Sequence, residues 1–265
     1  MRSSRFYTPV GNDMRSQCQG HGCTAAHLIR AHLTPQSFAR WVQGDSGPNI
    51  LVSPSRYTKR LPHGLFDPDI LCETCDGFLN TQYDDPAFEL LKTIDLRLSE
   101  LPAPIAADAY FEHRGANCTL LCGFVLSILW RYSISRLPDT SHVNLGPYQG
   151  RAREVLWGAK TLADFPEFQV ICQRYAPGPV ETRKMYSSPV DMRGPEFFSY
   201  GFSIIGFHFI AKVDRRPFPP IYTPFVLKED VLRGYYVKFG ETPQGRGARD
   251  MLKAARARRA ARSRG

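Results

Sequence analysis

Four cysteines in two pairs have the spacing in this chain that is most specific to one chemistry. They are Cys18 and Cys23 in the run Cys-Gln-Gly-His-Gly-Cys, then Cys72 and Cys75 in Cys-Glu-Thr-Cys. Two pairs tens of residues apart fit one tetrahedral zinc with four thiolate ligands. The short step from Cys72 to Cys75 lets one tight turn present both sulfurs. The looser Cys18–Cys23 knuckle has Gly20 and Gly22, which let it curl round an ion. Two other readings stay open: four reduced cysteines without metal, and a variant in which His21 replaces one thiolate. Cys118, Cys122 and Cys172 lie in apolar surroundings and read as small core residues. His27 follows the first pair closely and Asp76 directly follows the second. A zinc joining the pairs would hold these two together, and a fixed His and carboxylate are suited to a second, catalytic metal.

The order of these residues resembles a known family. A cysteine pair, then Thr24-Ala25-Ala26-His27-Leu28-Ile29, then Leu71-Cys72-Glu73-Thr74-Cys75-Asp76, is similar to the zinc-containing HNH (His-Me finger, ββα-metal) endonucleases. The likeness is closer to a largely uncharacterised bacterial and phage branch. There the motif is followed by a segment like Tyr83-Asp84-Asp85, a helix like Leu126–Arg131 and a segment like Val143–Pro147. The resemblance runs over about residues 15–210, and only the part up to about residue 100 touches nuclease chemistry. It implies a structural zinc on Cys18, Cys23, Cys72 and Cys75. It also implies His27 as general base, with Asp76 and Asn80 near a catalytic Mg²⁺ or Mn²⁺. The expected activity is hydrolysis of phosphodiester bonds in nucleic acid, DNA first. Two departures stand out. The acid that many relatives carry directly before the His is Ala26, and the proline of the His-Ile-Ile-Pro segment is Arg30. Either Asp76 holds the metal with Asn80 or His32, or catalysis is lost. The second case leaves a zinc-stapled module that binds nucleic acid or protein.

The rest of the chain must position these groups. Hydrophobic residues at 43% and charged residues at 22% place it among ordinary globular proteins. The odd count of seven cysteines, with no signal-peptide pattern at the start, favours a reducing, cytoplasmic setting over a disulfide framework. The longest apolar run, Leu120–Trp130, is too short to span a bilayer, so no membrane contact is expected. Net charge is +9, and six of those nine charges belong to residues 240–265. This basic tail is suited to polyanions, and nucleic acid is the expected partner through both site and tail.

Hydrophobic periodicity predicts an α+β chain. The expected plan is a zinc-stapled ββα-metal-like module over 15–85, helices over 86–160, an antiparallel sheet over 161–239 and the basic tail from 240. Ala25–Val42 reads as helix interrupted by Pro35, and Pro62–Asp69 as loop. A short helix starts at Asp76–Asn80, and a longer one spans Pro86–Leu98, with Asp84 and Asp85 as its caps. Asn117–Ser135 is the strongest helix, and Pro147–Ala159 a second. Phe168–Tyr175, Val180–Ser187, Phe197–Ile205 and Phe207–Val213 read as strands, with Gly206 as a hairpin or bulge position. Arg30, Arg40, Lys59 and Arg60 are candidate phosphate contacts. Phe197, Phe198, Tyr200 and Phe202 read as core, with base stacking as the alternative.

Overall fold

The computed structural model describes residues 17–44, 49–52, 58–61, 64–99, 109–178, 181–242, 245–247, 250 and 253. It is mixed α+β, with helices and a six-stranded sheet. Strand β1 (Ile29–His32) pairs antiparallel with β4 (Phe66–Leu71), His32 opposite Phe66 and Ile29 opposite Leu71. Between them lie helix α1 (Gln36–Gln43) and the small antiparallel pair β2 (Asn49–Val52) and β3 (Thr58–Leu61). The first half of the expected Ala25–Val42 helix is therefore a strand. Ile29, Ala31 and Leu33 alternate with Arg30 and His32, a period of two that suits a ladder to β4. The expected loop at Pro62–Asp69 ends in β4. Pro68 is tolerated there because this sheet has only two strands and a register irregularity lies opposite Arg30.

β4 runs through Cys72 into helix α2 (Glu73–Leu79), a π turn (Asn80–Asp84) and helix α3 (Asp85–Ser99) without a break. Asp84 and Asp85 are thus not caps of a separate helix. The backbone N–H of Asp85 donates to the Asn80 carbonyl, the wide step that defines the π turn. Helix α4 (Cys118–Ile134) begins where Asn117 Oδ1 accepts from the Leu120 N–H at 2.9 Å. It is apolar nearly all round and buried nearly throughout, as its composition requires. Helix α5 (Gln149–Leu156) packs against it.

The large sheet contains β5 (Tyr110–Arg114), β6 (Phe168–Tyr175), β7 (Val190–Arg193), β8 (Phe198–Ile204), β9 (Phe207–Val213) and β10 (Val231–Val237). Its order is β5-β10-β6-β9-β8-β7. Strands β6, β8 and β9 form the expected antiparallel part, with β7 added beside β8, and β8 turns into β9 at Ile205-Gly206, both with positive φ. The sheet as a whole departs from the antiparallel expectation. β10 runs parallel to β6, and β5 joins from a segment that precedes α4. Gly234 permits that insertion, because a Cβ there would lie 2.3 Å from the Cys172 carbonyl oxygen. The strand expected at Val180–Ser187 is a 3₁₀ turn, Thr182–Lys184, and one bridge, Tyr186 to Ile204; residues 179–180 lie outside the described residues. The strand forms instead at β7. Most of the expected tail helix, Ala248–Arg262, also lies outside the described residues.

One apolar cluster joins Cys18, Phe38, Leu71, Leu91, Phe124, Cys172 and Tyr236, so hairpin, helices and sheet share a core. Tyr200 and Phe202 belong to it and Phe198 packs against it; Phe197 packs on Phe218 in a second, smaller cluster. Cys118, Cys122 and Cys172 are buried as expected. Burial pushes the Cys118 thiol up to about 11 and that of Cys122 to about 12, so neither is a thiolate at neutral pH.

His208 on β9 is fully enclosed, its Nδ1 3.2 Å from Ser203 Oγ. Burial lowers its pKa to about 4, against the opposing pull of a hydrogen bond to the Phe202 backbone carbonyl. In the unfolded chain the ring titrates near 6.5, so the unfolded state binds the proton first as pH falls. The stability this neutral ring contributes is therefore complete above about pH 6.5 and is lost toward pH 4, by up to about 3 kcal/mol. Chemical unfolding at pH 7 and pH 4.5 should show wild type losing more stability than His208→Gln. Equal losses would remove His208 as the cause.

Candidate functional site

The two cysteine knuckles meet beside the two-stranded β1–β4 sheet. The Cys18 N–H donates to the Ala25 carbonyl at 2.8 Å and the Gln19 N–H to the Ile70 carbonyl at 2.9 Å, which pins the first knuckle to β4. Gly22 takes a positive φ of 68°, and the Cys23 N–H closes the turn on the Gly20 carbonyl at 3.2 Å. A Cβ on Gly20 would stand 2.4 Å from Cys75 Sγ, so this position has no room for a side chain. Cys72 is the N-cap of α2 and Cys75 lies in its first turn. The four ligand sulfurs all lie within 4.8 Å of one another, and Cys23 Sγ and Cys72 Sγ are 3.7 Å apart.

Four cysteines this close together can hold one metal ion. A tetrahedron with 2.3 Å zinc–sulfur bonds has edges of about 3.8 Å, close to the Cys23–Cys72 separation. Backbone N–H groups of Gly20 and Cys72 also point at Cys18 Sγ, at 3.4 and 3.3 Å, as suits a thiolate. Burial pushes the Cys18 and Cys75 thiols up, so a cation is needed to hold them ionised. At Cys72 desolvation acts the same way, but the Cys75 backbone and the neighbouring sulfurs outweigh it and lower the pKa. His21 is exposed and stands outside the sulfur cluster.

Beside this cluster runs a groove of about 200 Å³ lined by His32, Pro35, Gln36, Asp76, Gly77, Asn80, Asp84 and Arg131. Three elements build it. β1 ends at His32, α1 begins at Gln36, and α2 with its π turn supplies Asp76, Asn80 and Asp84 at four-residue intervals. In a straight α-helix such positions drift round the axis. The extra residue of the π turn keeps the third beside the groove. Asp76 is half-buried, and its carboxyl is raised by desolvation, with Arg131 opposing and Asp84 reinforcing. Asn80 is exposed and donates from Nδ2 to Asp85 Oδ2 at 2.9 Å.

The groove's floor is an ion pair. Arg131 Nη1 and Nη2 donate to Asp84 Oδ2 and Oδ1 at 2.9 and 2.7 Å, with both side chains at most 2% exposed. Arg131 also donates to the His32 carbonyl at 3.0 Å, the Ser127 carbonyl at 3.3 Å and Ser127 Oγ at 3.0 Å. All five guanidinium N–H groups are thereby used, and one side chain ties α4 to the π turn and to the end of β1.

Compared with known proteins, the chain matches no family model, no curated protein and no solved structure. Its own residues carry the functional reading.

Of the residues singled out in the sequence, the four cysteines converge, and Asp76 and Asn80 share the groove beside them. His27 is exposed in the link before β1 and is not among the groove's lining residues. The groove's histidine is His32. Arg30 stacks on Phe66, and Arg40 is exposed on α1. Lys59 and Arg60 are on β3, whose side chains lie outside the described residues. The sequence reading missed Gln36 and the Asp84–Arg131 pair. One signal for the pair was present: a lone arginine in an apolar helix needs a buried carboxylate.

Proposed function

We propose that the chain is a metal-dependent nuclease of the HNH type that hydrolyses phosphodiester bonds in nucleic acid, with DNA as the first substrate to test. One observation carries this reading. A histidine at a strand end lines one groove together with a helix-borne carboxylate and amide, and the carboxylate directly follows one of four clustered cysteines. In this account a zinc on Cys18, Cys23, Cys72 and Cys75 is structural and fastens α2 to the hairpin. His32 is the general base in place of His27. The run His32-Leu33-Thr34-Pro35 also supplies the proline missing after His27. The His32 ring accepts a proton from the attacking water as the new P–O bond forms and the bond to the departing sugar oxygen breaks. Asp76 and Asn80 offer hard oxygen ligands for Mg²⁺ or Mn²⁺, which when bound stabilises charge on the phosphate. Arg131 fixes the backbone of His32.

Zinc-loaded protein should nick supercoiled plasmid only with added Mg²⁺ or Mn²⁺. Asp76→Asn should slow nicking on the order of 10²-fold, the several kcal/mol that a metal's charge stabilisation is worth. Cleavage unchanged by Asp76→Asn would refute the assignment.

A second reading has its own support. Ala31 precedes His32 and Ala26 precedes His27, where the family carries an acid, and Asp84 is committed to Arg131. A catalytically inactive, zinc-stapled binding module would retain nucleic-acid or protein binding and show no cleavage with any divalent ion.

A further inference from the structure

We propose that Arg30 and Phe66 form a phosphate-binding subsite for a nucleic-acid strand, next to the bond that the groove would cleave. The proposal rests on the nuclease reading for its position and on separate residues for its chemistry. A second depression, of about 250 Å³, is lined by Arg30, His32, Gln36 and Phe66. It shares His32 and Gln36 with the groove that holds Asp76. The two therefore adjoin at the histidine.

The charge pattern changes sign across His32. On one side are Asp76 and Asn80, suited to a divalent cation. On the other is Arg30, whose guanidinium carbon lies 3.6 Å from the centroid of the Phe66 ring. A ring face under the guanidinium holds its plane in place and leaves the N–H edges directed outward, the arrangement that meets a phosphate with two parallel hydrogen bonds. Arg30 is exposed and, among the described residues, its guanidinium forms no ion pair or hydrogen bond. Phe66 is itself placed by the histidine: it is the register partner of His32, with ring centroids 6.4 Å apart and edge-on. The register irregularity opposite Arg30 is a further mark, since such irregularities re-aim side chains beside sites. Strand β1 thus presents a base and, two residues earlier, a cation that among the described residues has no carboxylate to neutralise it. A strand whose scissile phosphate sits at His32 and Asp76 would lay a neighbouring phosphate on Arg30.

The test is fluorescence anisotropy with fluorescein-labelled single-stranded and duplex oligodeoxynucleotides. It uses the full chain, zinc-loaded and carrying Asp76→Asn, which lies outside the depression, without added Mg²⁺, so that cleavage does not consume the probe. In that background Arg30→Ala should raise Kd about tenfold. It should also reduce the slope of log K against log salt by about 0.7 for the single strand or 0.9 for the duplex, the loss of one phosphate contact. Arg30→Lys should restore the slope but only part of the affinity, because a lysine gives no fork. Phe66→Leu should weaken binding several-fold with the slope unchanged. Arg30→Ala binding like its parent, an unchanged slope, or no binding by the parent would each overturn the subsite. If Arg30→Ala weakens binding as expected but the unmutated chain cuts nothing with any divalent ion, the subsite stands and the nuclease reading falls.

Discussion

Cys75→Ser should abolish stoichiometric zinc and unfold the hairpin–α2 unit, the largest single effect expected anywhere in the chain. Cys75 is buried in the first turn of α2, with Gly20 packed so closely that no side chain fits between them. Its hydroxyl replacement is a poor zinc ligand, and the other three sulfurs would lose their common cation. Structural zinc contributes roughly 10–16 kcal/mol of apparent binding free energy in small zinc domains, more than the whole stability of most single domains. Elemental analysis should find one zinc per wild-type chain and less than about a tenth of that in the variant, with a large fall in thermal midpoint. Cys23 is only half-buried, so Cys23→Ser should be milder. Cys122→Ala, which removes a core thiol, should keep its zinc. Wild-type protein that purifies without metal and melts unchanged in the presence of a strong chelator would contradict the scaffold.

Arg131→Met should be the most destabilising change outside the cysteines. It leaves Asp84 buried with no counter-charge and removes the guanidinium's hydrogen bonds to the His32 and Ser127 carbonyls. Breaking a buried pair from one side costs about 3–5 kcal/mol. The direction of pH dependence is fixed. Burial already raises the Asp84 carboxyl and Arg131 opposes that rise, so without Arg131 it rises further. The penalty should therefore shrink as pH falls and Asp84 takes up a proton. The double variant Arg131→Met/Asp84→Leu should recover at least half of the loss, since two apolar groups leave no uncompensated charge. Urea unfolding of the two variants at pH 7 and pH 5 checks both statements. A single variant within about 1 kcal/mol of wild type would show that the pair is dispensable.

These effects differ in how far the sequence announced them. The cysteine cluster was legible because zinc ligands follow short spacings within a turn, and Cys72-Glu-Thr-Cys75 keeps one. Helix α4 was legible because seventeen residues that are apolar nearly all round dictate burial. The strands β6, β8 and β9 were legible through β-branched and aromatic runs broken at Gly206. The β1 strand was not, because four residues of alternation sit within a stretch that also fits a helix, and only pairing with β4 decides. Nor was β10, whose parallel neighbour lies more than fifty residues away in sequence. The histidine illustrates the same limit. The resemblance implies His27 as base by its place in the motif, whereas the histidine that the end of β1 brings to the groove is His32. Asp84 was misread as a cap because Pro86 follows so closely. Its true partner is forty-seven residues on, a contact that no local pattern encodes.

The most direct test compares His32→Ala and His27→Ala in one plasmid-nicking assay, with zinc content and circular dichroism matched to wild type and Mn²⁺ in excess. The account predicts that His32→Ala loses about 10²–10⁴-fold in rate, the range of a general base, and that His27→Ala stays within about threefold of wild type. Loss in His27→Ala with full activity in His32→Ala would move the chemistry out of the groove. No cleavage by wild type would leave a zinc-stapled binding module in its place.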